Sequence, residues 1–343
     1  MYITINQTEV EVLVGENLLE TARRTGCNIP SLCYAKGAQH KASCMVCAVK
    51  NYDTGQIVPS CETFPTEGMH VDTESDEVRM IRTLSLELLL SDHRADCEAP
   101  CSMVCPQGLD IGRILNLYDT GRHEKARSLI ACVFDLPALG CDHCKAPCEK
   151  ICRRGTVDQS IPIRAVIREL VGNCGSTSTN VEEDIRKVDK AMFQSRLGRF
   201  TENEKKWLRD TRSLDGEALN EVKTAKPSTK LNPSGCLHCA CVGREDCKLR
   251  FYATAAGIKR PRYEMSSSAL PVMRKQHVTG NIWFEPAKCI RCGLCVYNSN
   301  NGFTFKNRGF GIQVVIPDEN RENVGEELAE LCPTGALYLI YND

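Results

Sequence analysis

Twenty-two cysteines in a 343-residue chain set the terms on which it can fold. They fall into tight groups, many with only two or three residues between neighbours. Thiols that close in sequence bridge one another poorly but readily share a metal. A disulfide framework is the habit of small secreted chains. This chain is long, and its start, "MYITINQTEVEV", has neither the basic segment nor the apolar segment of a signal peptide. The cysteines therefore predict metal clusters. Nine Phe and two Trp are few for this length, which fits clusters that replace part of an apolar core.

The length suggests two or three domains. A formal charge of −1 gives no pull toward nucleic acid or an anionic membrane. No apolar run approaches the roughly 18–20 residues that span a bilayer; the densest, "LELLL" (86–90), is flanked by charges. The expectation is a soluble, cytoplasmic chain with no membrane span and no nucleic-acid partner. Residues 1–14 alternate around a turn-like "NQT" and predict a β-hairpin. "ENLLETARRTG" (16–26) predicts a helix closed by Gly. A hairpin, a helix and then a cysteine loop open a β-grasp ferredoxin domain. Helices are predicted over 75–93, twice within 109–131 around "DTG", and over 160–172. Residues 181–225 read as charged and helical, and 226–235 as a linker. Short strands flank the last cysteines. The expected architecture is an α+β multidomain iron–sulfur protein. It has a β-grasp [2Fe–2S] domain at 1–75 and an α-helical two-cluster domain at 76–175. A charged linker follows at 176–230, a cysteine-rich metal segment at 231–265, and a ferredoxin-like α+β domain at 266–343.

Cys33, Cys44, Cys47 and Cys61 spread four thiolates over a long loop and a later strand, as a [2Fe–2S] centre needs. Zinc usually takes two compact pairs, and only Cys44 and Cys47 form one. The flanks "IPSLCY…ASCMVC…VPSCETFPTEGM" resemble the N-terminal domain of the large iron–sulfur subunit of complex I, also found in formate dehydrogenases and NAD-linked hydrogenases. The resemblance covers about the first 95 residues. It implies that His93, in His93-x3-Cys97, ligates a cluster.

From there the pattern changes to Cys97-x3-Cys101-x3-Cys105-Pro106, followed later by "LGCDHCKAPCEKICRRG". Residues 94–172 resemble the N-terminal two-cluster domain of the glutamate synthase small subunit and dihydropyrimidine dehydrogenase. That resemblance implies one [4Fe–4S] cube on Cys97, Cys101 and Cys152, and a second on Cys105, Cys144 and Cys148. Each set is one ligand short. His93 completes the first. For the second, the position that carries Glu or Gln in that family is Ile167, which is inert, so Cys141 is assigned, with Glu169 as the fallback.

Cys236, Cys239, Cys241 and Cys247 form the next group. A [4Fe–4S] cube is favoured, and zinc is the alternative because small zinc knuckles tolerate Cys-x-Cys spacing. His238 reads as solvent-facing. The last group is Cys289, Cys292 and Cys295 with Cys332-Pro333, the bacterial ferredoxin pattern for one [4Fe–4S] cube. Cys27 reads as a buried helix-end thiol, Cys132 as core and Cys174 as a loop thiol.

The sum is one [2Fe–2S] and three or four [4Fe–4S] clusters, with zinc as the alternative at one site. Loaded all-thiolate clusters would make the chain about ten charge units more acidic. The Lys and Arg beside the cysteines, among them Lys145, Lys150, Arg153, Arg154, Lys248, Arg250 and Arg291, would offset part of that. No dinucleotide, phosphate-loop or hydrolase motif is present, so no flavin or nicotinamide site and no catalytic residue is expected. Redox centres without a substrate site make a conduit. The expected function is an electron-transfer subunit of a multi-subunit NAD(P)H-linked oxidoreductase, between a partner flavoprotein carrying FAD or FMN and a further redox subunit. The alternatives are a free polyferredoxin carrier and an iron–sulfur redox sensor.

Overall fold

The opening hairpin forms as its alternation predicts. Strands β1 (Tyr2–Ile5) and β2 (Thr8–Glu11) pair antiparallel, and Asn6 and Gln7 both take the left-handed conformation that a tight hairpin turn requires. Helix α1 (Leu18–Arg24) starts on a capping box, in which the Asn17 side chain accepts from the Glu20 N–H and Glu20 accepts from the Asn17 N–H. Arg23 and Arg24 lie in its last turn, where positive charge suits the helix dipole. Leu18, Leu19 and Ala22 bury its inner face. The computed structural model describes residues 1–91, 93–134, 141, 143–172, 188, 192–195, 200–210, 235–240, 247–263 and 276–340.

Strands β3 (Ala48–Asn51), β4 (Gln56–Pro59) and β5 (His70–Asp72) complete a mixed sheet of order β2-β1-β5-β3-β4, with β1 and β5 parallel. Helix α2 (Asp76–Ser91) covers the span predicted as one helix, and Arg82 Nε donates to the Ala48 carbonyl at 2.9 Å. Helical segments follow: α3 (Pro100–Met103), α4 (Ile111–Asp119), α5 (His123–Ala131), α6 (Pro147–Lys150), α7 (Ile163–Gly172) and α8 (Glu202–Asp210). The break between α4 and α5 falls on "DTG", with Gly121 left-handed. Helices α4, α5 and α7 enclose a core of Ile114, Leu115, Ile130, Ile163, Val166 and Leu170. The chain ends with α9 (Lys248–Ala255), β6 (Gln276–Thr279), β7 (Ile282–Phe284), α10 (Leu294–Asn298), β8 (Thr304–Lys306), β9 (Gln313–Val315), α11 (Glu327–Leu331) and β10 (Leu337–Leu339).

The chain divides into two units. Unit 1 comprises Met1–His93, Asp246–Leu270 and Val278–Asp343; unit 2 comprises Arg94–Glu245 and Pro271–His277. The sheet-bearing N-terminal segment and the C-terminal cysteine segment thus belong to one unit, and the helical segment to the other. Most of 176–230 lies outside the described residues. Among the described residues no helix is long and apolar enough to cross a membrane.

Candidate metal centres

In unit 1, Cys33, Cys44, Cys47 and Cys61 are all buried. Their loop is fixed from α1 outward. Arg23 donates to the Ile29 carbonyl at 2.8 Å and to Ser31 Oγ at 2.7 Å. Asn17 Nδ2 donates to the Cys61 carbonyl at 3.0 Å, and Ser60 Oγ to the Cys47 carbonyl at 2.8 Å. Met45 is left-handed, which turns the chain between Cys44 and Cys47. The sulfurs face one another: Cys33 hydrogen-bonds with Cys44 and Cys61, and Cys47 with Cys61. Those bonds hold the Cys33 and Cys47 thiols below the ordinary thiol range and push Cys44 and Cys61 above it. Backbone N–H groups of Ser43, Cys44 and Val46 also point at sulfur. Four buried thiols sharing protons cannot all ionise together without a cation among them. The donor set therefore fits an iron–sulfur centre.

The C-terminal group converges in the same unit. Cys289, Cys292 and Cys295 precede or open α10, and Cys332 follows α11. Arg291 N–H donates to Cys289 Sγ at 3.3 Å and Leu337 N–H to Cys332 Sγ at 3.4 Å. Burial pushes Cys289 up to about 12 and raises Cys292 and Cys295 further. Gly293 is left-handed, and a Cβ there would stand 2.5 Å from the Tyr297 ring. Gly293→Ala should therefore cost about 2–4 kcal/mol, read as a lower thermal midpoint of the iron-loaded protein and faster bleaching of this centre.

The two groups are neighbours. Gln39, in the loop between Cys33 and Cys44, exchanges hydrogen bonds with Asn298 of α10 at 2.9 and 2.8 Å. Lys41 Nζ lies 5.4 Å from the centre of the Tyr297 ring, and Cys33 acts electrostatically on Cys292.

Unit 2 holds two cysteine-lined cavities. The first, about 250 Å³, is lined by Cys105, Cys141, Cys144 and Cys148. Ile167 closes it, while Glu169 is exposed beside Tyr118. The second is lined by Cys101, Cys152, Cys236 and Cys239, with Arg153 and Arg154 beside them. The structure thus brings Cys236 and Cys239 to the partners expected for Cys97. Cys97 is buried, with its N–H on the Phe193 carbonyl at 3.1 Å, and does not line this cavity. Cys247 caps α9 in unit 1, accepting from the Arg250 N–H at 3.4 Å. Cys241 and Cys174 lie outside the described residues.

His93, in unit 1, is buried, and burial followed by the charge of Lys288 pushes its imidazole down to about 4. A neutral imidazole is the form that ligates metal. His238 is not solvent-facing as expected: it is buried, with Nε2 2.8 Å from Asp119 Oδ2. Cys132 is not core either. Helix α5 ends at Ala131, and the thiol that follows it is exposed. Cys27 is half-buried, accepting a long bond of 3.9 Å from Asn6. Among the described residues no three His, Cys, Asp or Glu close round a single metal ion.

Residues 1–76 match the family described as a 2Fe-2S iron-sulfur cluster binding domain. That domain contains the Cys33, Cys44, Cys47 and Cys61 loop. The chain is 33% identical over 106 residues to an NADH-quinone oxidoreductase subunit of Rhizobium meliloti, covering 31% of this chain and 12% of that protein. It is 41% identical over 100 residues to NADP-reducing hydrogenase subunit HndD of Solidesulfovibrio fructosivorans, covering 28% of this chain and 17% of that one. It is 32% identical over 95 residues to the alpha subunit of the NADPH-Fe(3+) oxidoreductase of Geobacter sulfurreducens, covering 28% and 11%. The matches thus span less than a fifth of these relatives' lengths. A solved NAD+-reducing [NiFe]-hydrogenase chain aligns over 98% of this chain and 86% of its own, at 16% identity and a TM-score of 0.48.

Proposed function

We propose that the chain is an electron-transfer subunit of a cytoplasmic NAD(P)H-linked oxidoreductase complex. Its partners in this reading are an FAD- or FMN-containing flavoprotein that handles NAD(P)H and a further redox subunit. The observation that carries the reading is the neighbouring pair of four-cysteine groups in unit 1, locked by the Gln39–Asn298 exchange. The relatives' names add that similar domains serve NADH-, NADP- and NADPH-linked oxidoreductases. Iron–sulfur clusters, one [2Fe–2S] and three or four [4Fe–4S], would supply one-electron redox sites at these cysteines.

The chain's own residues do the rest. They hold the sulfurs in fixed loops, exclude water from them, and aim N–H groups at them, which raises reduction potential. The [2Fe–2S] ligands are Cys33, Cys44, Cys47 and Cys61. Cubes sit on Cys105, Cys141, Cys144 and Cys148, and on Cys289, Cys292, Cys295 and Cys332.

The test is anaerobic reduction followed by EPR. NADH or NADPH alone should leave the isolated chain oxidised. The complex purified with its flavoprotein should show reduced centres within seconds, and Cys47→Ser should slow reduction of the C-terminal centre at least tenfold. A chain that purifies alone and accepts electrons equally from unrelated reductases is a free carrier, and sequence-specific DNA binding would make it a sensor; either result overturns the proposal.

A further inference from the structure

The second cavity of unit 2 gathers cysteines from three separate stretches of sequence, around residues 101, 152 and 236–239. We propose that Cys101, Cys152, Cys236 and Cys239 form one [4Fe–4S] site. This replaces the grouping of Cys97 with Cys101 and Cys152, and that of Cys236 and Cys239 with Cys241 and Cys247. It stands whether or not the chain serves an NAD(P)H-linked complex.

An internal repeat builds both cavities. "APCSMVC" (99–105) and "APCEKIC" (146–152) are the same motif, and each sets a short helix, α3 or α6, that begins Pro-Cys. The two copies cross-supply the cavities. Cys101 of one and Cys152 of the other line the second cavity, while Cys105 and Cys148 line the first. A second repeat completes each set. "GCDHC" (140–144) gives Cys141 and Cys144 to the first cavity, and "GCLHC" (235–239) gives Cys236 and Cys239 to the second. Two cavities built from the same two motifs should hold the same kind of group.

The 236–239 pair is also anchored rather than loosely apposed. His238 takes the left-handed conformation, and its buried imidazole lies 2.8 Å from Asp119 Oδ2 and 3.4 Å from Asn116 Nδ2, both on α4. The Asp96 N–H donates to the Cys239 carbonyl at 2.8 Å, and Asp96 and Ala240 form a parallel bridge. Gly112 of α4 lets the start of α3 approach, since a Cβ there would stand 2.8 Å from Ala99 Cβ, and Ala240 packs at ordinary contact distance beside it.

Charge complements the donor set. Four thiolates with iron and sulfide leave a net anion, and Arg153 and Arg154 line this cavity. Both guanidiniums are held in place by carboxylates, Arg153 by Asp96 at 2.8 Å and Arg154 by Asp158.

The test counts iron and sulfide in anaerobically prepared full-length protein. Cys101→Ser and Cys236→Ser should each remove about four iron atoms, and the double variant should remove no more than either single one. Helical circular dichroism and retention of the first cavity's iron are the control for folding of unit 2. A double variant that loses about eight iron atoms, or zinc found in this cavity, overturns the assignment. Should a variant not fold, the wild-type protein decides: after the clusters are bleached with ferricyanide, which takes two electrons per disulfide formed, peptide mapping should find Cys101 or Cys152 bridged to Cys236 or Cys239. Bridges from Cys97 to Cys101, or from Cys236 or Cys239 to Cys241 or Cys247, would overturn it.

Discussion

Asp96→Ala is expected to destabilise the helical unit by about 3–5 kcal/mol in urea unfolding at neutral pH. Asp96 is fully buried, accepts from the Ser195 N–H at 2.6 Å and faces Arg153 Nη1 at 2.8 Å. Removing the carboxylate leaves a largely buried guanidinium without its counter-charge, and that penalty dominates the cost. Asp96→Ala with Arg153→Met should therefore recover at least half of the loss. A double variant as unstable as Asp96→Ala would show that the Ser195 bond, not the ion pair, carries the effect. Burial raises the Asp96 carboxyl to about 6, against the opposing pull of Arg153 and Ser195. Its folded value lies above its unfolded one, so the folded state binds the proton more tightly. Its contribution is greatest below about pH 4 and falls as pH rises through 6. Asp96→Asn should flatten that slope, which a set of urea midpoints between pH 4 and 7 would show.

What the sequence made legible was local. The Asn6–Gln7 turn, the Asn17/Glu20 capping box and the "DTG" break are signals within a few residues, and each element formed where its signal lay. Cys289, Cys292 and Cys295 lie on one short stretch that runs into α10, so bringing those three together needed no knowledge of tertiary folding. Pairing between distant half-sites was hidden. Proximity in sequence drew Cys236 and Cys239 toward Cys241 and Cys247, whereas the Asp96–Ala240 bridge and the Asp119–His238 pair draw them to Cys101 and Cys152. His238 looked solvent-facing because its partner Asp119 is 119 residues away. Cys132 misled for the opposite reason. The apolar run "LIACVF" suggested burial, but α5 stops one residue earlier and turns the thiol outward. The repeated "APCxxxC" and "GCxHC" motifs were the long-range signal available, because a repeat that bears ligands twice implies two equivalent sites.

Removal of iron is expected to have a larger effect than any single substitution. Binding energy at a thiolate site is also folding energy, about 10–16 kcal/mol for structural zinc in small domains, and the loop of the Cys33, Cys44, Cys47 and Cys61 group carries no helix or strand of its own between Cys33 and Cys47. Its four sulfurs are buried and face one another. Without a cation among them, the four thiols cannot all ionise and instead share protons in weak hydrogen bonds in place of metal bonds. The hairpin and α1 do not share that dependence, because Ile3, Ile5, Val10, Leu18 and Leu19 bury apolar side chains of their own. The iron-free chain should therefore exchange its amides between Cys33 and Cys47 about a hundredfold faster or more, while β1, β2 and α1 change little. Equal acceleration in the hairpin would show one cooperative unit instead of a metal-dependent loop on a stable base. The pH dependence follows from the same chemistry. Ligand thiols must lose protons to bind metal, so acid favours release. The [2Fe–2S] absorbance should bleach faster as pH falls, and the loop's amide protection should be lost with it.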